Sequence, residues 1–184
     1  KTRDKPVSEI LDAVEKAYGK TGMLKAHRSL AVIGRLRGDV GRSVAIDFLD
    51  ASDKPIHLDV PLAKPPGVAT QFGHLPTFHV QFVSKKLEGN VGYVALNAFF
   101  DLVGVMAKFA DSIKANQNSD GLILDLRGNP GGIGAMSMGI GGWFVTEKNL
   151  KLGTMVTRNG SLFFALNPRA NPFEKPVAIL VDEL

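Results

Sequence analysis

Two adjacent glycines, Gly131-Gly132, are the residues of this sequence whose type and position are best suited to chemistry. They follow a run of large apolar residues at 121–126 and the turn-forming pair Asn129-Pro130, and a small-residue segment of helical length follows at 133–140. Glycine amides are not shielded by a side chain, and the first N–H groups of a helix lack intrahelical partners. The turn therefore predicts a site for negative charge, either a phosphate or the oxyanion that forms when an acyl group is attacked.

The known glycine motifs for phosphate binding do not match this turn. The Lys-Ser/Thr pair of a P-loop does not follow Gly132, and the three-glycine spacing of the dinucleotide fingerprint is absent as well. A tight strand-to-helix connection that binds no ligand is the alternative interpretation of the same residues. The local sequence does not decide between this connection and an anion site.

Ser137 lies in a segment, residues 135–139, that faintly resembles the nucleophile elbow of hydrolases. Ala135 replaces the first glycine of that motif, and the residues before it are typical of a turn and a helix rather than of a strand. We therefore interpret Ser137 as a small helical residue that allows close packing, and not as a nucleophile.

The titratable side chains predict no metal site. Asp125 and Arg127 are two residues apart on a predicted strand, so they share one face and can form an ion pair beside the turn. Asp182 and Glu183 end the last predicted strand, where they either belong to a site or, as we expect, are solvated. The four histidines share no ligand spacing: His27, His57, His74 and His79.

The composition limits the possible partners. The chain has 184 residues and a net charge of +4 that is spread without a basic block, so nucleic acid is not expected to bind. No apolar run approaches the roughly 18 residues of a membrane-spanning helix. The absence of cysteine excludes disulfides, thiolate metal sites and a cysteine nucleophile, and it fits oxidising and reducing compartments alike. Nothing in the sequence indicates a cofactor.

The first third of the chain predicts two helices and a β-hairpin. Apolar residues at helical spacing predict a helix from an N-cap at Ser8 to Gly19, and a second helix over 23–36. Alternating residues at 44–49 and 56–60 predict the two strands of the hairpin. These elements form a small unit with few strands.

The remainder of the chain is predicted to be an α/β unit. Prolines and Gly67 mark a boundary, and the following residues as far as Pro76 read as a loop, with a turn expected at 85–90. The hydrophobic pattern predicts five strands and two helices. The predicted strands cover 78–83, 91–96, 121–126, 161–165 and 176–181, and the predicted helices cover 99–113 and 133–140. Residues 143–145 and 151–156 lead to a turn that is predicted at Asn159-Gly160.

Both ends of the sequence read as internal positions. The chain opens on Lys1 in the approach to a helix, and it ends at Leu184 directly after an apolar strand. We expect these residues to be a piece of a longer protein, so the absence of a leader sequence is uninformative.

Three segments resemble a known family in the same order along the chain. The first is Tyr93-Val94-Ala95-Leu96-Asn97-Ala98-Phe99-Phe100-Asp101, and the most distinctive is Asp120-Gly121-Leu122-Ile123-Leu124-Asp125-Leu126-Arg127-Gly128-Asn129-Pro130-Gly131-Gly132. The third is Lys175-Pro176-Val177-Ala178-Ile179-Leu180-Val181-Asp182-Glu183-Leu184. These segments resemble the C-terminal processing (tail-specific) serine proteases, which include the tricorn core protease. The resemblance covers residues 72–184 well, including the loop at 72–76, and residues 7–61 in outline.

The resemblance implies a partial ClpP/crotonase-like mixed-sheet core at 67–184, preceded by a partial PDZ-like α+β unit at 1–66. It implies hydrolysis of peptide bonds near the C-termini of protein or peptide substrates through an acyl-enzyme, without a cofactor. The nucleophile is a serine, assisted by a lysine base or by a histidine-containing relay. The family pattern assigns backbone amides of Gly131 and Gly132 to the oxyanion hole, and it places the serine and its base beyond Leu184. These residues alone are then expected to be inactive, and the resemblance implies a periplasmic or extracytoplasmic location.

Two rival functions share this fold. One is a non-catalytic relative that binds peptides or apolar ligands, and the other is a crotonase-type enzyme that acts on acyl thioesters. The crotonase alternative is weaker, because no constellation for coenzyme A is visible and the hairpin-and-helices unit has no role in it. An apolar last strand with an open edge also predicts that these residues self-associate.

Overall fold

The structure is a computed structural model that describes residues 5–184. The chain divides into two units, of which the first ends at Pro65 and also includes Glu183–Leu184. The second unit is Pro66–Asp182. Each unit is described by itself below.

The first unit contains two helices and a two-stranded antiparallel hairpin, as the sequence predicts. Helix α1 is Val7–Tyr18 and helix α2 is Leu24–Arg35. Strand β1, Ser43–Leu49, pairs in register with strand β2, Pro55–Pro61. Among its described residues only Ala26 and Val44 are buried hydrophobics, so this unit has little core of its own.

The predicted N-cap at Ser8 is wrong. Helix α1 already begins at Val7, and Pro6 occupies the cap position without a capping hydrogen bond from a side chain. A proline has its φ angle preset and lacks an N–H, so it can precede the first helical residue at little cost. The predicted end is confirmed, since the Gly19 N–H donates to the Glu15 carbonyl as the last turn closes.

The second unit is built on a mixed sheet of four strands in the order β10-β7-β6-β5. Strands β6, β7 and β10 are parallel to one another, and β5 is antiparallel to β6. Two smaller antiparallel pairs, β3 with β4 and β8 with β9, complete the unit. The strands are β3 Val68–Thr70, β4 Phe78–Val80, β5 Phe82–Leu87, β6 Val91–Leu96, β7 Gly121–Asp125, β8 Leu150–Thr157, β9 Gly160–Leu166 and β10 Val177–Leu180.

Two helices follow the parallel strands. Helix α3, Leu102–Ala115, connects β6 to β7, and helix α4, Gly134–Gly141, follows β7. Side chains of the sheet and of α3 form one buried cluster in which Val94, Phe109 and Ile113 are fully inaccessible to solvent. Burying one such side chain contributes about 1.5–3 kcal/mol, so this cluster fixes the sheet that carries the glycine turn.

Three sequence predictions for the loops and strands of this unit are wrong in detail. The loop predicted before Pro76 contains β3, which pairs with β4. The single strand predicted at 78–83 is interrupted at Gln81, because its N–H donates to the Asn97 side chain. The turn predicted from Lys85 begins only after Leu87, since Lys85 and Lys86 lie on an edge strand where charged side chains remain solvated.

Helix α3 begins three residues later than predicted. Asp101 is its N-cap, with a positive φ of 54°, and its carboxylate accepts a hydrogen bond from the Gly104 N–H. Phe99, the first predicted helical residue, is instead paired with the glycine turn. No helix in the described part of the chain is long and apolar enough to cross a membrane.

Candidate active site

The glycine turn leaves the carboxyl end of β7, the central strand between β6 and β10. Gly128, Gly131 and Gly132 have positive φ angles of 72°, 97° and 141°. Because L-residues with a side chain rarely adopt these conformations, the turn depends on its glycines. The chain then enters α4 at Gly134, with Ile133 as the N-cap.

Backbone hydrogen bonds hold the turn against the segment that follows β6. The Phe99 N–H donates to the Gly131 carbonyl at 2.9 Å, and the Ile133 N–H donates to the Phe99 carbonyl at 2.8 Å. A Cβ atom on Gly132 would lie 2.4 Å from the Phe99 carbonyl oxygen. Gly132 is therefore required both by its φ angle and by the close approach of this second chain segment.

Asn129 links the turn to the sheet through both ends of its amide. Its Nδ2 donates to the Leu96 carbonyl at 2.8 Å, and its Oδ1 accepts from the Gly131 N–H at 2.8 Å. The residue is buried. From the sequence Asn129 is predicted only to form a turn, and the signal for its further contact is the tendency of an Asn side chain to accept a hydrogen bond from the amide two residues on.

This arrangement distinguishes the two glycine amides. The Gly131 N–H is occupied by Asn129, whereas the Gly132 N–H has no hydrogen-bond acceptor among the residues that the structure describes. An unoccupied backbone N–H in a fixed turn can donate to an anion that is brought to it. The geometry thus offers the Gly132 amide as the donor of this site.

The predicted ion pair beside the turn is confirmed, and it includes a third member. Arg127 Nη2 lies 2.6 Å from Asp125 Oδ2, and the Arg127 Nε donates to Asp125 Oδ1 at 2.9 Å. The hydroxyl of Tyr93 donates to Asp125 Oδ2 at 2.7 Å. Hydrogen bonds from Arg127 and Tyr93 hold the pKa of the Asp125 carboxyl well below its usual range, and the same contacts raise the pKa values of Arg127 and Tyr93.

Asp182 also contacts the turn, so the expectation that it is only a solvated strand end is wrong. Its Oδ2 accepts a hydrogen bond from the Gly128 N–H at 2.7 Å. Asp182 follows β10, which lies next to β7 in the sheet, and the two strands are parallel. Parallel neighbours bring their carboxyl ends to one edge, which is why residues 54 positions apart meet here.

Residues 90–184 match the sequence profile of Peptidase family S41, a family of serine peptidases. The match covers more than half of the chain. The chain belongs to peptidase family S41. The resemblance found in the sequence is thereby confirmed, and so is a mixed α/β fold. No curated protein matches the chain.

Several solved structures are similar to this S41 chain. A protein from Parabacteroides merdae ATCC 43184 that is assigned as a peptidase is 25% identical, with a TM-score of 0.46 over 55% of this chain and 35% of its own. The photosystem II D1 C-terminal processing protease is 18% identical, with a TM-score of 0.47 over 82% of this chain and 39% of its own. Mature CPAF is 15% identical, with a TM-score of 0.44 over 86% and 40%. The chain thus matches well under half of the length of each of these proteins.

An open cleft of about 470 Å³ lies at the same edge of the sheet in this S41 chain. Its polar lining includes Gln81, Tyr93, Asn97, Asp125, Arg127 and Asp182. Two of these side chains brace the start of the glycine turn. Asp182 contacts the turn directly, and Asp125 contacts it through Arg127. The cleft therefore gives a ligand access to the braced edge of the sheet.

The other candidate residues do not join this site. Ser137 lies within α4, and its hydroxyl donates to the Gly134 carbonyl at 2.7 Å, in agreement with its interpretation as a helical residue. His57 lies in the first unit, where its Nδ1 is 2.6 Å from Asp47 Oδ1. Within residues 5–184 no group of three or more histidine, aspartate or glutamate side chains is arranged to hold a metal ion.

Proposed function

We propose that these residues belong to a serine endopeptidase that cleaves protein or peptide substrates near their C-termini, and that they supply its oxyanion hole. The observation that carries the proposal is the Gly132 N–H, which is held in a fixed turn and has no hydrogen-bond acceptor within residues 5–184. A positioned amide of this kind stabilises the negative charge that develops when a nucleophile attacks a peptide carbonyl. Membership of peptidase family S41 supports the same activity.

The nucleophile and its base are proposed to lie outside these 184 residues. Ser137 does not fit the role, because its hydroxyl is bonded to the backbone of its own helix. An oxyanion hole without a nucleophile does not form an acyl-enzyme. Residues 1–184 alone are therefore expected to be inactive towards peptides.

The finer description of the fold is part of the same proposal. Residues 67–184 correspond to the first part of a ClpP/crotonase-like core, and residues 1–66 to part of a PDZ-like domain that binds peptides. The parallel strands β6, β7 and β10, with a glycine turn after β7, support the first assignment. The two helices and the hairpin of the first unit support the second in outline.

The first experiment is covalent labelling of the full-length protein with a fluorophosphonate probe, followed by peptide mapping, with residues 1–184 treated in parallel. We expect labelling of a serine outside residues 1–184 and none within them. Labelling of Ser137 would contradict the assignment of the site. Absence of labelling in the full-length protein would instead favour the non-catalytic relative that binds peptides or apolar ligands.

A pair of glycine variants in the full-length protein tests the oxyanion donor itself. In Gly132→Ala the new Cβ would collide with the Phe99 carbonyl, so the amide must move, and we expect kcat to fall by about 10²–10³. Gly131→Ala is the matched control, because its φ is also positive but a Cβ there meets nothing within 4 Å. Equal losses in both variants would show that backbone strain, rather than the position of the Gly132 amide, controls the rate.

Residues 1–184 in isolation are also proposed to self-associate through β10. This strand lies at the edge of the four-stranded sheet, and Ile179 within it and Val181 directly after it are 56% and 69% exposed. An apolar edge strand offers unpaired backbone groups to a second copy. Size-exclusion chromatography with light scattering should show dimers or larger species, and a monomer that persists at high concentration would contradict this.

A further inference from the structure

The outer half of the β8–β9 hairpin carries exposed apolar side chains on both of its faces. Met155 and Leu162 are directly opposed on one face, whereas Val156 and Phe163 lie on the other. The exposed fractions are 45% for Met155, 55% for Leu162, 79% for Val156 and 63% for Phe163. We call these four side chains the tip cluster. Contiguous exposed apolar surface of this kind marks a site of interaction.

The base of the hairpin is anchored on α4. A Cβ on Gly134 would lie 2.8 Å from the Phe164 ring, and a Cβ on Gly141 would lie 2.7 Å from Leu166, so strand β9 packs closely along the helix. Phe164 is half-buried and Leu166 is buried, in contrast to the tip cluster. The exposed cluster is therefore presented on a hairpin whose base is fixed.

The hairpin and the residues that flank it are also basic. Residues 148–173 contain four basic residues and no acidic one, in a chain whose net charge is +4. Lys151 lies over the Phe163 ring, with its Nζ 5.2 Å from the centroid, and Arg158 lies in the turn that joins the two strands. Positive charge is thus placed directly beside the tip cluster. The nearest acidic residues along the chain line a cleft at the base of the hairpin: Glu147 and Glu174.

The distribution of the tip cluster over two faces favours a lipid layer as its partner. A protein surface that docks on a two-stranded ribbon covers one face, whereas a lipid layer surrounds a segment that enters it and covers both. Apolar side chains flanked by basic ones are typical of segments that bind the interface of an anionic membrane. The unpaired backbone edges of the hairpin must remain among headgroups and water, because the hydrocarbon core offers them no partners.

We propose that the β8–β9 hairpin docks the protein on the surface of a bilayer that contains anionic lipids. The tip cluster enters the boundary between the headgroups and the acyl chains, and Lys151 and Arg158 extend to the lipid phosphates. Salt screens the attraction between these basic side chains and the phosphates, whereas the burial of the apolar side chains does not depend on this attraction. The docking goes beyond the proposed function and does not require peptidase activity.

Co-sedimentation of the full-length protein with lipid vesicles tests this docking. We expect the protein to bind vesicles of phosphatidylglycerol and phosphatidylcholine in equal parts, and to bind them less at high salt. Vesicles of phosphatidylcholine alone should bind it at least about 10-fold more weakly. Phe163→Asn should weaken binding to the anionic vesicles by about 10-fold or more, and Arg158→Gln should weaken it by about 5-fold.

Two matched control variants lie on α3, outside the hairpin but in the same unit. Val103→Asn replaces an apolar residue that is 82% exposed, and Lys114→Gln removes a charge from the last turn of that helix. Both should bind the anionic vesicles as the wild type does. The fluorescence of Trp143 should be the same in all four variants, which shows that each of them is folded.

Several results would overturn the inference. One is a wild-type protein that binds neither kind of vesicle, or that binds both equally well. Another is an equal loss of binding in the hairpin variants and in the α3 controls. A dimer that forms without lipid and that Phe163→Asn dissociates, as seen by light scattering, would make a second copy of the chain the partner of the tip cluster. Because vesicle binding and fluorophosphonate labelling are separate measurements, failure of the proposed function would leave this inference in place.

Discussion

The two units of this chain have a similar mixture of helices and hairpins but differ in how they use apolar residues. In the second unit, side chains from the sheet and from α3 meet in one buried cluster, with Phe109 fully inaccessible. In the first unit, amphipathic elements leave large apolar side chains exposed, among them Leu30, Phe48 and Leu58. A hydrophobic pattern is sufficient to form elements in both units, but only the second packs them around a core that can hold a site rigidly.

The largest expected effect tests this contrast in packing. Phe109→Ala removes a ring that packs edge-on against Phe82 and Phe144, so we expect the free energy of unfolding of the second unit to fall by about 3–5 kcal/mol. Urea unfolding measures this loss of free energy. It can be followed by the fluorescence of Trp143, which is the single tryptophan and packs on this core. Phe48→Ala in the first unit is the control. We expect it to lower the free energy of unfolding of that unit by less than about 1 kcal/mol, as measured by circular dichroism. Similar losses of unfolding free energy in both variants would contradict the difference in packing between the two units.

Asn129 tests whether the rigidity of the second unit extends to the glycine turn. Asn129→Ala leaves the buried Leu96 carbonyl without its donor, so we expect a loss of about 1–3 kcal/mol in stability. It also frees the Gly131 N–H, whose hydrogen exchange should accelerate. Asn129→Asp keeps an acceptor for that amide but not the donor, so it should destabilise the unit while Gly131 remains protected. Unchanged exchange in Asn129→Ala would show that the turn is held by its other contacts.

The ion pairs of the two units should respond differently to acid. Asp125 has a pKa lowered below its ordinary value of 3.8 by hydrogen bonds from Arg127 and Tyr93, so its contribution to stability is present above that pH and is lost as the pH falls through the lowered value. Asp125→Asn should cost about 1–2 kcal/mol at neutral pH and flatten the loss of stability below roughly pH 4. Chemical unfolding at several pH values measures both. If stability falls as steeply with acid in the variant as in the wild type, other carboxylates are responsible for the acid dependence.

The smallest expected effect belongs to the exposed pair of the first unit. The hydrogen bond with Asp47 raises the pKa of His57 above its ordinary value of 6.5, so the stabilisation is present below that pH and is lost as the pH rises through the raised value. Asp47→Asn should lower the pKa of His57 in an NMR titration of its ring protons. An unchanged His57 titration would mean that Asp59, 3.8 Å from the other ring nitrogen, maintains the shift.

Local patterns were sufficient to predict most of the elements. The hairpin of the first unit was predicted because apolar residues alternate along its strands, and helix α2 because apolar residues recur at helical spacing. Strand β7 was predicted from a continuous apolar run bounded by turn residues, and strands β6 and β9 were predicted as well. The Asp125–Arg127 pair was predictable because its members are two residues apart on one strand. Strand β3 was missed because three residues between prolines and glycines carry too short a pattern.

The sequence by itself determined the glycine turn, the apolar strand before it and the membership of peptidase family S41, because each depends on residue types at fixed short spacing. Only the tertiary structure decided which amide of the turn has no acceptor in the described part of the chain. Gly131 is occupied through Asn129, which is itself held by Leu96, 33 residues away, and Gly128 is held by Asp182, 54 residues away. Parallel strands bring these distant residues to one edge of the sheet, and no local pattern encodes which of them will meet.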